Sequence, residues 1–127
     1  YIENPEGFPD WFNYAITWAA SGSMTYTSVT TTYAKWRSEG GSTLRAIGRG
    51  SGTTGGTASN TITASLPVTP TLSASLPVGT AYVQDPPGPS GVGFSFVTTV
   101  ANMRKYDSSN YGLGASRLVV FDVSFEF

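Results

Sequence analysis

VVFDVSFEF, residues 119 to 127, decides how this chain is to be read. Val119, Phe121, Val123, Phe125 and Phe127 alternate with Val120, Asp122, Ser124 and Glu126. That is the period of a strand with one face in a core or an interface and the other mostly in solvent. Nowhere does the chain repeat apolar residues at i, i+3, i+4 and i+7 convincingly, so no helix is required.

Upstream, the same vocabulary recurs in shorter pieces. Tyr14 to Arg37 is dominated by Thr, Tyr, Val, Ile and Trp and reads as two or three strands broken by the turn Ser21-Gly22-Ser23. A strand over Thr43 to Arg49 follows the turn Glu39-Gly40-Gly41-Ser42, and the glycine tract through Gly56 reads as a flexible connection. Asn60 to Leu66 puts Ile62, Ala64 and Leu66 on one face; Thr80 to Gln84 and Phe94 to Ala101 are further strands. Residues 85 to 93 carry three prolines and read as an exposed loop. The pentad ASLPV occurs at 64–68 and again at 74–78, too short and too few for a repeat architecture. Pro67 predicts the end of one strand, and Pro77 with Gly79 a turn into the next.

The expectation is therefore an all-β protein of about eight short strands, an antiparallel β-sandwich of jelly-roll type. The 127 residues suit one domain. Residues 14–127 form it, and 1–13, with two prolines among aromatics and carboxylates, is an extended lead-in. Tyr1 in place of Met points to a piece of something longer.

Composition narrows the chemistry. Seven basic and eight acidic residues leave a net charge of -1, which gives no overall electrostatic footprint for nucleic acid. No apolar run approaches the roughly 18 residues of a helical membrane span, so no membrane insertion is expected. There is no Cys and no His, which removes disulfides, thiolate chemistry and the commonest zinc ligands. No D-x-D-x-D-G calcium loop is present, and neither a metal nor another cofactor is expected. Gly50-Ser51-Gly52-Thr53-Thr54-Gly55 matches the letters of a dinucleotide fingerprint but is followed by Thr- and Ser-rich sequence leading into a strand, not by a helix.

Catalysis has little to work with. The carboxylates Glu3, Glu6, Asp10, Glu39, Asp85, Asp107, Asp122 and Glu126 are scattered singly. Asp122 and Glu126 share a strand face but lie about 13 Å apart, beyond the roughly 5 to 9.5 Å that separates glycosidase carboxylates. The expectation is a protein that is not an enzyme.

Two sets of residues suit binding. Trp11, Trp18 and Trp36 have the faces on which sugar rings stack, although Trp18 and Trp36, within strands, fit packing roles better. Arg104-Lys105-Tyr106-Asp107-Ser108-Ser109-Asn110-Tyr111-Gly112 sets two tyrosines around short polar residues, the chemistry of an adaptable recognition loop and equally of a plain hairpin turn. The candidate receptor-binding residues are Arg104, Tyr106, Asp107, Asn110 and Tyr111.

Val29-Thr-Thr-Thr-Tyr33-Ala34-Lys35-Trp36-Arg37, then Gly52-Thr-Thr-Gly-Gly-Thr-Ala-Ser-Asn-Thr-Ile-Thr63, then Leu66-Pro67-Val68 resembles the C-terminal β-domain of bacteriophage tail-fibre and minor tail proteins. The likeness runs from Tyr14 to about Leu118 and stops short of the lead-in and the final strand. It implies a non-enzymatic domain at the tip of a fibre on the virion, outside the cell, usually a homotrimer, that attaches to a bacterial surface saccharide or protein receptor. A structural virion component without a receptor, such as a fibre cap or capsid decoration domain, is the alternative. Trimerisation would bury surface that a small domain without disulfides cannot bury alone. The apolar positions expected to serve it are Phe121, Phe125 and Phe127, or Phe8, Trp11 and Phe12 in the lead-in.

Overall fold

A computed structural model describes residues 11–71, 74–85 and 91–127. Phe8 and most of the expected lead-in lie outside them. In chain order the strands are β1 (Phe12–Asn13), β2 (Trp18–Ala20), β3 (Met24–Gly40), β4 (Thr43–Gly56), β5 (Ile62–Ala64), β6 (Ala74–Gln84), β7 (Gly91–Val97), β8 (Ala101–Lys105) and β9 (Gly114–Glu126). They pair antiparallel in one sheet, in the order β1-β3-β4-β9-β6-β7-β8-β5-β2. The protein is all-β, and no helix occurs among the described residues.

The order of strands forces the sheet to curl. β1 and β2 sit at opposite edges, and laid flat those edges would be about 38 Å apart at roughly 4.8 Å per strand. Yet Asn13 and Trp18 are joined by five links, which reach about 18 Å at most. The connecting segment bridges the edges: Tyr14 N–H donates to Ala34 O of β3 at 3.1 Å. At its other end Ser65 N–H donates to Thr17 O at 3.0 Å, and Tyr14 Oη donates to Ser65 O at 3.1 Å.

Curling encloses the inner face. From β9 it receives Val119, Phe121, Val123 and Phe125, all buried, as the alternation predicts. Phe121 and Phe125 are thereby withdrawn from the set of trimer contacts, because this chain's own strands cover them. Trp18 arrives from the opposite edge and meets Tyr26 and Phe121 edge-on, with ring centroids 6.0 and 6.1 Å apart.

Space for these rings comes from the glycine tract, which is not a flexible connection. Gly48, Gly50 and Gly52 alternate with Arg49, Ser51 and Thr53 inside the 14-residue β4, with the glycines facing inward. A Cβ on Gly48 would stand 2.5 Å from the Phe121 ring, and one on Gly50 would stand 2.7 Å from Trp18. The bare backbone is a floor on which the aromatic rings lie. Gly48→Ala should gain about 0.5–1 kcal/mol from backbone entropy and lose about 1–3 kcal/mol to overpacking, so overpacking wins. Urea denaturation should show a net loss, while Ser51→Ala on the other face stays within about 0.5 kcal/mol. An unchanged midpoint for Gly48→Ala would refute the floor.

Other expectations shift. Instead of about eight short strands, the described residues form nine, and β3, β4 and β9 run to 17, 14 and 13 residues. The run Phe94 to Ala101 is broken at 98–100, where the Asn102 side-chain amide donates to Thr98 Oγ1 and Val100 O and shapes the turn. The second ASLPV opens β6 rather than turning into it: before Gly79 that strand pairs with β7 alone, and the register shifts on both sides of Pro77. A proline is tolerated at such an irregular edge. Of the expected loop at 85–93, Asp85 is buried, Gly91 to Gly93 belong to β7, and 86–90 fall outside the described residues.

Candidate functional site

Lys105, Asp85 and Arg117 lie in the interior, 6%, 0% and 4% exposed, where unpaired charges are costly. Lys105 Nζ is 2.5 Å from Asp85 Oδ2, and Arg117 Nε is 2.8 Å from Oδ1. Gly112 N–H also donates to Oδ2, at 2.8 Å.

The cations do more than meet Asp85. Arg117 donates to the carbonyls of Gly112, Leu113 and Ala115, and Lys105 to that of Asn110. Four backbone carbonyls between 110 and 115, in the segment after β8 and at the start of β9, thus accept from two buried side chains. Thr54 Oγ1 from β4 adds a bond to Gly112 O at 2.6 Å. The loop is held from below at several points, and its upper side is free to face outward.

Tyr111 goes down into this anchor. It is 1% exposed, its Oη donates to Met103 O at 2.9 Å, and its N–H donates to Ser59 O. It offers no face to a ligand, and this corrects its assignment as a receptor-binding residue. Arg104 is partly withdrawn as well: its guanidinium lies over the Phe96 ring at 4.8 Å, and Nε donates to Thr61 Oγ1. Asp107 and Asn110 are exposed, and Tyr106 projects at 73% exposure. Ser109 bonds the Asp107 carboxylate, which holds its pKa below the ordinary value and keeps the turn's carboxylate charged.

Two more side chains face outward near this end of the sheet. The β7–β8 ladder ends at Gly93↔Lys105, where the chain turns into the Tyr106 loop, and Val92, the residue before Gly93, pairs with Tyr82. Val92 is 70% and Tyr82 43% exposed, an aliphatic and aromatic pair on the outer face of β6 and β7. A signal for Tyr82 exists in the sequence: it alternates with Ala81 and Val83, both inward, so it must face out. Val92 gave none, being hidden in a Pro/Gly-rich stretch.

The remaining expected contacts are spread elsewhere. Phe12 lies against Trp36 with centroids 5.0 Å apart and is 50% exposed; Phe127 is 42% exposed. Trp11 is half-buried, with the Arg37 guanidinium over its ring at 4.7 Å. Among the described residues no three of Asp, Glu, His or Cys gather into a possible metal site. Comparison with known protein families, with characterised proteins and with solved structures finds no match.

Proposed function

We propose that this is a non-enzymatic receptor-binding domain at the tip of a bacteriophage tail fibre, which attaches the virion to a bacterial surface saccharide or protein outside the cell. The observation that carries the reading is the anchored loop: buried cations hold backbone carbonyls from 110 to 115, while Tyr106, Asp107 and Asn110 are exposed. Rigid aromatic area with small polar groups around it suits recognition, because little side-chain freedom is lost on binding. The carboxylates argue for binding over catalysis. Asp122 accepts two bonds from Arg45, Glu39 faces Arg37 at 3.5 Å, and Asp85 is buried, so none of these three is placed as a proton donor.

The finer form of the fold belongs to this proposal: a sheet folded over into a jelly-roll-like sandwich, associating as a homotrimer through Phe12 and Phe127 with Trp11. Three weak sites on one fibre would raise avidity without a tight single contact. The test is binding of labelled protein to a panel of bacterial strains that differ in surface polysaccharide, with its mass measured by sedimentation. Trimeric protein should decorate at least one strain, and Tyr106→Ala should weaken that binding about tenfold or more, as loss of a central aromatic contact does. A strict monomer, or Tyr106→Ala binding as well as wild type, overturns the reading. Decoration of no strain favours a structural virion component instead.

A further inference from the structure

Five of the seven basic residues, Lys35, Arg37, Arg45, Arg49 and Arg104, lie outside the buried anchor. Four of these stand on two adjacent strands. In β4, Arg45 and Arg49 alternate with inward Ala46, Gly48 and Gly50, so they point out of the curl. The register Tyr33↔Arg49, Lys35↔Ile47 and Arg37↔Arg45 puts Tyr33, Lys35 and Arg37 on that same outer face.

Like charges directly opposite each other weaken a sheet. Arg37 and Arg45 are partly compensated: Arg45 binds Asp122 through two bonds of 2.9 and 2.5 Å, and Arg37 has Glu39 and the face of Trp11. Lys35 and Arg49 make no ion pair among the described residues. They are diagonal neighbours, about 7–8 Å apart by sheet geometry, with Tyr33 and Ile47 completing the square. Among the described residues, Lys35 and Arg49 are thus two cations side by side on a partly apolar surface with no carboxylate paired to either.

One step along the same face, an open depression of about 310 Å³ is lined by Glu39, Arg45, Gly79, Thr80, Asp122 and Ser124. The pairs Ile47↔Asp122 and Asp122↔Thr80 connect it directly to the Lys35 row. Its size is at the small end for ligand sites, and its rim is carboxylate, guanidinium and hydroxyl, groups that bond vicinal hydroxyls. Two spare cations are too few for a nucleic acid, whose phosphates need many, and they match a polymer with one carboxylate per repeat.

We propose that the outer face of β3, β4 and β9 binds an acidic polysaccharide, with uronate carboxylates at Lys35 and Arg49 and an adjoining sugar in the depression at Asp122. The proposal rests on the receptor reading in taking the ligand as a surface glycan, but it uses a surface separate from the Tyr106 loop. Affinity electrophoresis in gels containing polygalacturonate, alginate, dextran or duplex DNA tests it. Wild type should be retarded by at least one uronate polymer, less so as salt is added, and not by dextran or DNA. Lys35→Gln with Arg49→Gln should cut that retardation about tenfold, the sum of two exposed charge contacts, with an unchanged melting curve. Tyr106→Ala should leave it intact, so failure of the loop in cell binding and failure here are separate results. No retardation by either uronate polymer, equal retardation of the double variant, or equal binding of DNA would overturn the proposal.

Discussion

Asp85→Ala should cost about 3–5 kcal/mol of stability, the loss expected when one partner of a buried ion pair is removed. The alanine would leave Lys105 and Arg117 facing each other without the carboxylate that both touch, at 6% and 4% exposure. It would also leave Gly112 N–H without its acceptor. Domains of this size have about 5–15 kcal/mol in all, so at least about a fifth of it is at stake. Asp85→Asn separates charge from shape, since it keeps an acceptor for Gly112 and removes only the negative charge. Urea denaturation should rank wild type above Asn and Asn above Ala. Amide exchange in the Ala variant should rise first at 110–115, where the cations hold the backbone carbonyls. A loss below about 1 kcal/mol would mean that the cations find another partner and that the loop does not depend on this anchor.

Stability should also fall steeply in alkali. Tyr26 Oη donates to Arg117 O and Tyr111 Oη to Met103 O, both are buried, and burial raises both phenolic pKa values. In the unfolded chain the same groups ionise near pH 10. With the folded pKa above the unfolded one, the stabilisation is complete below about pH 10 and is lost as pH rises beyond it. Each tyrosine contributes about 1.4 kcal/mol per pH unit, so the two together remove about 3 kcal/mol per unit. Tyr14, raised in the same direction by burial, steepens this further. Urea midpoints followed into alkali, with tyrosinate absorbance as the second probe, should show unfolding and ionisation together. Tyr111→Phe should flatten the slope. Tyrosinate absorbance rising well before the fold is lost would contradict the burial of these phenols.

What could be read from the sequence was local. The alternation from Val119 onward places four core residues correctly, because in a strand the period alone separates the two faces. It does not say what covers the apolar face. Phe121 and Phe125 suit a trimer seam as well as a core; for Phe121 the return of Trp18 beside it decides between them, and Phe125 is enclosed in the same buried cluster. The glycine tract reads as a loop because glycine is the ordinary mark of one; its other meaning, room for a neighbour, depends on rings some 30 or 70 residues away. In the Tyr106 loop the two tyrosines have similar neighbours in sequence. Which of them turns inward is settled by Met103 and Ser59, whose carbonyls accept from the Tyr111 hydroxyl and N–H. The Lys35 and Arg49 pair was illegible for the same reason, since they become neighbours only when β3 and β4 pair in this register.

The position of β9 between β4 and β6 has a consequence for how the chain acquires its shape. Without it, β1, β3 and β4 make one ribbon, and β6, β7, β8, β5 and β2 make another, with no ladder between the two. The β3–β4 and β7–β8 hairpins can close early, but Gly48 meets Phe121 only across more than 70 intervening residues, a slow step by its loop entropy. Until then each ribbon has an unpaired edge, β4 on one and β6 on the other, open to strands of other chains. The strand that joins the two ribbons is therefore the one that ends the exposure. Shortening it should trap the chain as two sticky halves rather than as a slightly smaller domain.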